Sequence, residues 1–333
     1  MTKNSSKLMF MMLSMMGIII TMSSNNWFSM WMGMEINLMG FLPLMLEEKN
    51  SLSPEAIMIY FLIQSLMSIL FMMIILISSI SIMSTLFMDK FTKMIVTTSM
   101  LMKMGVPPFH FWFLMIMNKI EWKMCIMLMT IQKLNPLIIL SSIIYQEKYL
   151  ILIMSMMSTI VGAIGGMNQS SLKMIMAYSS INHSGWMMSC LLFNNQLWLM
   201  YMIIYAMMIT PIFMYMNYNS LNFLMQLMMN SKIKENMVFS MSMMSMGGMP
   251  PMLGFINKMI VIQEMMKNGM IMIMLIMIMM SVIILFYYSR IMMITIINKS
   301  MNQSWNMKMK AFNTKWILML NLIMPIFTVL NLL

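Results

Sequence analysis

Four ionisable residues stand inside long apolar stretches. Glu35 lies in W-M-G-M-E-I-N-L-M-G, Lys103 in L-M-K-M-G-V-P-P-F-H-F-W, Lys133 in M-L-M-T-I-Q-K-L-N-P and Lys258 in P-P-M-L-G-F-I-N-K. A charge in apolar surroundings costs several kcal/mol unless it is paired or wet. A lysine taken out of water also changes protonation state readily, which suits it to proton transfer. Glu35 and Lys103 are the obvious opposite charges, and an ion pair between them would form a proton-transfer switch. Lys133 has Gln132, Asn135 and Pro136 close by, and Pro136 is expected to disturb the helix just after the lysine and free carbonyls for water. The bland alternatives are a helix-end Glu35 that snorkels to the interface and a Lys258 that snorkels toward the side of Glu264. Three lysines at such positions exceed what snorkelling accounts for.

The two histidines are His110, between Phe109 and Phe111, and His183, in A-Y-S-S-I-N-H-S-G-W. Imidazole is a natural proton relay, and equally a side chain that bonds a neighbouring helix. Two histidines from separate segments do not specify a haem or metal site. Cys125 and Cys190 are far apart and form no C-x-x-C, so no disulfide, zinc or iron–sulfur site is expected.

The elements that position these groups follow from composition. The chain has 333 residues, 61% of them hydrophobic and only 9% charged. A soluble domain carries about 25% charged residues, so this is a polytopic membrane protein. The net charge of +11 sits mainly in short loops, where it reports topology rather than a nucleic-acid partner. At about 20 apolar residues per crossing, eleven transmembrane segments are expected. They are 8–22, 27–46, 57–83, 94–117 (broken), 124–145, 149–167, 172–193, 197–217, 238–266 (broken), 270–297 and 316–333. Only the connections 218–237 and 298–315 are long enough for surface helices. Basic residues favour the N-terminal side, which places the N-terminus inside. Trp27, Trp31, Trp112, Trp122 and Trp198 stand mostly near segment ends, as interface anchors do. The glycines from Gly162 to Gly166 follow no strand, so they point to close helix packing rather than a nucleotide loop.

Pro107-Pro108 and Pro250-Pro251 break the fourth and ninth segments, 143 residues apart. Each break has a lysine within eight residues. A shift of five helices inverts orientation, so the pattern predicts two inverted repeats, about 8–145 and 149–297, within a single membrane domain spanning 1–333. Irregular backbone at membrane depth survives only where it is packed in protein or lines a wet cavity.

Five stretches carry a resemblance that covers about residues 5–290. They are N-W-F-S-M-W-M-G-M-E-I-N-L-M-G-F-L-P-L, L-M-K-M-G-V-P-P-F-H-F-W, T-I-Q-K-L-N-P, the run from Gly162 to Trp186, and G-G-M-P-P-M-L-G-F-I-N-K. In this order they resemble the subunit 2 family of mitochondrial NADH dehydrogenase, antiporter-like membrane subunits of respiratory complex I. The 67 methionines are similar to those of invertebrate mitochondrially encoded members, whose genetic code converts isoleucine codons to methionine. The resemblance implies an all-α antiporter-like fold of eleven helices with two inverted five-helix bundles. It implies proton translocation across the mitochondrial inner membrane, driven by quinone reduction elsewhere in the complex. The family's key glutamate falls on Glu35, its pairing lysine on Lys103, its central lysine on Lys133 and its exit-side lysine on Lys258. His110 and His183 match as relays. No cofactor is implied on this chain; NADH, FMN, iron–sulfur clusters and ubiquinone belong to the complex. The implied partners are other complex I subunits, above all neighbouring antiporter-like ones, and membrane lipids. A stand-alone cation/proton antiporter and a purely structural assembly subunit are the alternatives.

Overall fold

The computed structural model describes residues 2–46, 51–80, 85–144, 147–193, 195–229, 233–250 and 252–297. Among these the chain is helical, apart from one isolated antiparallel bridge between Ser171 and Phe223. The expected segment 316–333 and the connection 298–315 lie outside the described residues. The chain divides into two compact units, Met1–Met154 and Ser155–Leu333.

The first unit contains α1 (Thr2–Ser23), α2 (Trp27–Met45), α3 (Ser53–Ile80), α4 (Thr85–Met104), α5 (Phe111–Lys119), α6 (Trp122–Met129) and α7 (Ile131–Ile143). α1 and α2 form its closest pair. Three glycines allow this: a Cβ on Gly17 would lie 2.6 Å from Gly33 O, and one on Gly40 would lie 2.7 Å from Ser14 N. Small residues let helix backbones touch where lipid leaves no hydrophobic drive for association. α7 packs against α1, α2 and α4, so the helix that carries Lys133 faces those carrying Glu35 and Lys103.

The unit boundary falls within α8 (Lys148–Met167). Beyond it lie α9 (Leu172–Leu191), α10 (Asn195–Tyr218), α11 (Leu224–Met229), α12 (Ile233–Gly247), α13 (Leu253–Lys267) and α14 (Ile271–Ile297). α11 is the short helix expected within 218–237. α9 is buried along nearly its whole length, although it carries Ser179, Ser180, Asn182, His183 and Ser184. The hydroxyls are tolerated because they donate to carbonyls one turn back, as Ser180 does to Ala177 O at 2.8 Å. The glycines of α8 do pack closely: a Cβ on Gly162 would meet Tyr178 O at 2.8 Å, and one on Gly165 the Tyr178 ring at 2.2 Å. Arg290 of α14 donates to Met167 O and Gln169 O, both at 2.8 Å, and so closes the C-terminal end of α8.

Among the described residues, six helical stretches are long and apolar enough to cross a membrane: Ser5–Ser23, Ser53–Ser78, Trp122–Ile143, Lys148–Met167, Gln196–Tyr218 and Ile271–Thr295. Among the described expected segments outside that set, α2 carries Glu35 and Asn37, α9 a run of polar residues and α4 several charged ones, while α5, α12 and α13 are only 9, 15 and 15 residues long. One break was not expected. The segment 124–145 is divided at Thr130, between α6 and α7. Pro136 lies inside α7 rather than ending a helix. A proline disrupts the turn that precedes it, because its ring clashes with the carbonyl four residues back and its missing N–H frees that carbonyl. The interruption lies before Lys133, at Thr130, and α7 runs on through Pro136.

Candidate functional site

Both proline breaks use the same local chemistry to end a helix. α4 stops where Gly105 adopts φ +69°, with Val106 N–H donating to Leu101 O and Gly105 N–H to Met102 O, both at 3.1 Å. This six-to-one closure is a Schellman motif, which needs a left-handed residue that only glycine supplies without strain. α12 stops in the same way. Gly248 has φ +81°, Met249 N–H donates to Met244 O at 3.3 Å, and Gly248 N–H donates to Ser245 O at 3.0 Å.

In the first unit the break presents Lys103 to the bundle interior. The Met102 carbonyl also accepts the Trp112 indole N–H at 3.1 Å, and the Lys103 carbonyl accepts Gln64 Nε2 at 3.3 Å. The Lys103 ammonium points away from these, toward Met34 Sδ at 3.4 Å. The expected ion pair with Glu35 does not form: among the described residues no carboxylate lies within 4.0 Å of Lys103. Successive side chains on a helix diverge by about 100°, so Met34 takes the facing position and Glu35 is turned aside and half-buried.

Lys133 is brought to the same place by α7. Its ammonium lies over the Phe113 ring, 5.4 Å from the centroid, a favourable cation–π geometry. Lys103 and Lys133 line one small cavity of about 10 Å³, together with Tyr60, Gln64, Trp112 and Gln132. A second cavity, of about 20 Å³, is lined by Lys103, Asn37, Tyr60, Gln64, Gln132 and Asn135, among others. The larger has room for one water molecule among polar partners. Around them runs a polar network. Asn37 and Gln132 exchange two amide hydrogen bonds at 3.1 Å, Tyr60 OH donates to Gln132 Oε1 at 2.9 Å, and Thr21 Oγ1 donates to Asn135 Oδ1 at 3.0 Å. Asn37, Tyr60, Gln64 and Thr21 escaped the sequence reading. Their only signal is a polar side chain inside an apolar segment.

His110 stands apart from both cavities. It precedes α5, with Nδ1 3.3 Å from Pro108 O and its ring 4.3 Å from that of Phe111. Trp112, Trp122 and Trp198 are buried, contrary to the expectation of interface anchors, whereas Trp27 is exposed. For Trp112 the reason is plain, since its indole satisfies a carbonyl freed by the break.

In the second unit Lys258, on α13, folds back and donates to Gly247 O at the break. Its ammonium also lies 5.9 Å from the Trp186 ring centroid. The lysine stem packs on Gly248, where a Cβ would come within 2.8 Å of Lys258 Cδ. The expectation of snorkelling toward Glu264 fails: Lys258 is 4% exposed, and Glu264 pairs with Lys267 at 2.6 Å. His183 lies one turn before Trp186 on α9, with Nδ1 2.8 Å from Tyr201 OH and its ring 4.8 Å from that of Tyr205. Asn257, beside Lys258, donates to Tyr201 O at 3.5 Å. α9, α10 and α13 thus gather Lys258 and His183 around Tyr201 and Trp186. The three lysines are 7%, 2% and 4% exposed at positions 103, 133 and 258, so none reaches solvent by snorkelling.

A family model described as NADH:quinone oxidoreductase/Mrp antiporter, transmembrane, matches residues 24–284. The NADH-ubiquinone oxidoreductase chain 2 of Locusta migratoria is 40% identical over 308 residues, covering 92% of this chain and 90% of that protein. That of Anopheles gambiae is 35% identical, covering 94% and 92%. In solved structures, a chain of respiratory complex I from Thermus thermophilus with bound aureothin superposes with a TM-score of 0.82 at 17% identity, covering 98% of this chain and 79% of that one. A chain of the Mrp complex from a Dietzia species gives 0.76 at 16% identity, covering 85% and 59%. The fold is therefore the antiporter-like one, and the chain belongs to the NADH:quinone oxidoreductase/Mrp antiporter family, among its NADH-ubiquinone oxidoreductase chain 2 members.

Proposed function

We propose that the chain is a core membrane subunit of proton-pumping NADH:ubiquinone oxidoreductase and carries protons across the inner mitochondrial membrane. The observation that carries this reading is the placement of Lys103 and Lys133 on one cavity, inside a helical bundle, within a polar network. A neutral lysine amine accepts a proton and an ammonium releases one, so two lysines lining one polar cavity can pass a proton without either leaving its helix. In this reading the proton route runs through Glu35, Lys103, Lys133 and Lys258. His183 serves as a relay beside Lys258, and His110 as a relay at the edge of the first break. In this reading eleven transmembrane segments form two inverted repeats, about 8–145 and 149–297, with a last segment at 316–333, and the bias of basic residues supports an N-terminus on the matrix side.

NADH, FMN, iron–sulfur clusters and ubiquinone belong, in this proposal, to other subunits. Electron transfer there supplies the energy, and neighbouring antiporter-like subunits are the partners within the lipid. The test is Lys133→Ala in the assembled complex. Proton yield per NADH should fall sharply while the complex still forms; full stoichiometry overturns the route. A purely structural role has one observation in its favour, the contact of Lys258 with Gly247 O. It predicts instead that assembly and activity fall together. An autonomous antiporter predicts cation-dependent transport by the isolated chain.

A further inference from the structure

The second unit buries Tyr201, Tyr205 and Tyr215 on α10 and Tyr287 and Tyr288 on α14. Two of the five use their hydroxyls on side chains: Tyr201 OH lies 2.8 Å from His183 Nδ1, and Tyr215 OH donates to Asn236 Oδ1 at 2.6 Å. The hydroxyls of Tyr205, Tyr287 and Tyr288 complete no hydrogen bond among the described residues, although all three side chains are fully buried. A polar atom withdrawn from bulk water needs a partner, and where protein supplies none the usual one is buried water.

These three hydroxyls are not scattered. The Tyr205 ring lies 4.8 Å from that of His183, and the Tyr287 and Tyr288 rings lie 4.7 Å apart. Tyr205 faces Ser180 and Tyr288, and Tyr288 faces Ser179. Both serines already give their protons to carbonyls one turn back, Met176 O at 2.7 Å and Ala177 O at 2.8 Å. At one end of the group the Tyr288 ring flanks Gly247, whose carbonyl holds the Lys258 ammonium: a Cβ on Gly247 would lie 3.2 Å from Tyr288 Cδ2. At the other end a Cβ on Gly166 would lie 2.9 Å from Tyr287 Cε1, and Arg290, one turn further along α14, donates to Met167 O and Gln169 O. Asn257 Oδ1, next to Lys258, and Arg290 Nε are likewise buried without a partner among the described residues. Unpartnered polar atoms thus run from Lys258 to the C-terminal end of α8, where a stretch long enough to cross the membrane ends at Met167. Were the three rings only filler, phenylalanine would make the same contacts with Gly166 and Gly247 and bury no hydroxyl.

We propose that Tyr205, Tyr288 and Tyr287 line a file of water from Lys258 to the end of α8, through which this lysine exchanges protons with the membrane face beside Arg290. The proposal rests on the reading of Lys258 as a proton carrier, and on the proposed topology that face is the matrix one. A phenol stays neutral near pH 7, yet its hydroxyl donates and accepts at once, so it orders waters on either side of it without holding charge. The guanidinium of Arg290 never deprotonates and is fixed on two carbonyls, so it shapes the mouth and does not carry the proton.

The test uses the assembled complex with Tyr205→Phe, Tyr287→Phe, Tyr288→Phe and the double variant Tyr287→Phe/Tyr288→Phe, and Lys258→Met interrogates the route itself. A water file predicts fewer protons moved per NADH oxidised in each single variant and fewest in the double one, with complex content kept and a thermal midpoint that holds or rises. It also predicts ordered water within hydrogen-bonding distance of all three hydroxyls in a density map of the unaltered complex. Full proton yield per NADH in the double variant, with yield lost in Lys258→Met, overturns the file and leaves the route standing. Reduced complex content with unchanged yield per NADH also overturns it and makes the tyrosines packing residues. Full yield in Lys258→Met overturns the reading of Lys258, and the file with it.

Discussion

The two breaks begin alike and end differently. Each closes its first half-helix with a left-handed glycine and the same pair of backbone bonds. Lys103 stands two residues before its glycine and Lys258 ten residues after. At the first break the freed carbonyls take donors from elsewhere, the Trp112 indole and the Gln64 amide, and the Lys103 ammonium is left facing a thioether and two cavities. At the second the lysine is itself the donor, to Gly247 O. The same backbone device thus holds one ammonium ready for water and ties the other to the chain. On the proposed route, Lys258 must exchange a carbonyl for water before it can pass a proton, whereas Lys103 need not.

The sharpest way to break the comparison is at the second half-helices. α13 packs back on α12, and a Cβ on Gly254 would lie 1.8 Å from Ser245 O. The atom in the way is backbone and cannot rotate aside. Gly254→Ala should cost about 3 kcal/mol, the upper end for overpacking, and should lower the amount of assembled complex. The position at the same spacing in the first break is Phe111, which is 66% exposed because α5 packs on α3 instead. Phe111→Ala should change stability by less than about 0.5 kcal/mol. Equal losses from the two, read as complex content on native gels, would show that the breaks are supported in the same way.

Exchanging each lysine for methionine separates the two roles. Lys258→Met leaves the Gly247 carbonyl without its donor and should cost about 1–3 kcal/mol, besides lowering proton yield. Lys103→Met removes a buried charge from beside a sulfur and deprives no carbonyl of a partner. Such replacements are neutral or stabilising. Its thermal midpoint should hold or rise while proton yield falls. A midpoint that drops as far in Lys103→Met as in Lys258→Met would erase the distinction drawn between the two ammonium groups.

What could be read from the sequence was whatever local chemistry dictates. Paired prolines next to glycines announce a helix break wherever they occur, and a lysine in an apolar run marks a candidate site. Partners contributed by distant segments left no trace. Gln132 meets Asn37 and Tyr60 across 95 and 72 residues, and nothing in any one segment reveals that these polar side chains converge. The direction of a side chain was equally hidden. Glu35 and Met34 are neighbours in sequence, yet the helix turns the thioether rather than the carboxylate toward Lys103. The interruption at Thr130 escaped because no glycine or proline stands at it; Pro136 lies six residues later, inside α7. Tryptophans near segment ends read as lipid anchors until the carbonyls opened by a break are taken into account.

The smallest expected effect concerns the two indoles. Trp112 N–H donates to Met102 O at 3.1 Å, whereas the fully buried Trp186 N–H finds no acceptor among the described residues. Trp112→Phe and Trp186→Phe delete the same atoms and leave comparable space behind. They differ in that the first also strips a carbonyl of one of its two donors. The extra cost of Trp112→Phe should be about 1 kcal/mol, the net value of one hydrogen bond. Trp186→Phe has its own signature, since a benzene face attracts a cation more weakly than an indole does and Lys258 lies over that ring. It should alter proton transfer more than stability, and Trp112→Phe the reverse. If both variants lose the same stability, measured as the thermal midpoint of the assembled complex, then the Trp112 indole is not what completes the first break. Met102 O would then rest on its backbone bond from Gly105 alone.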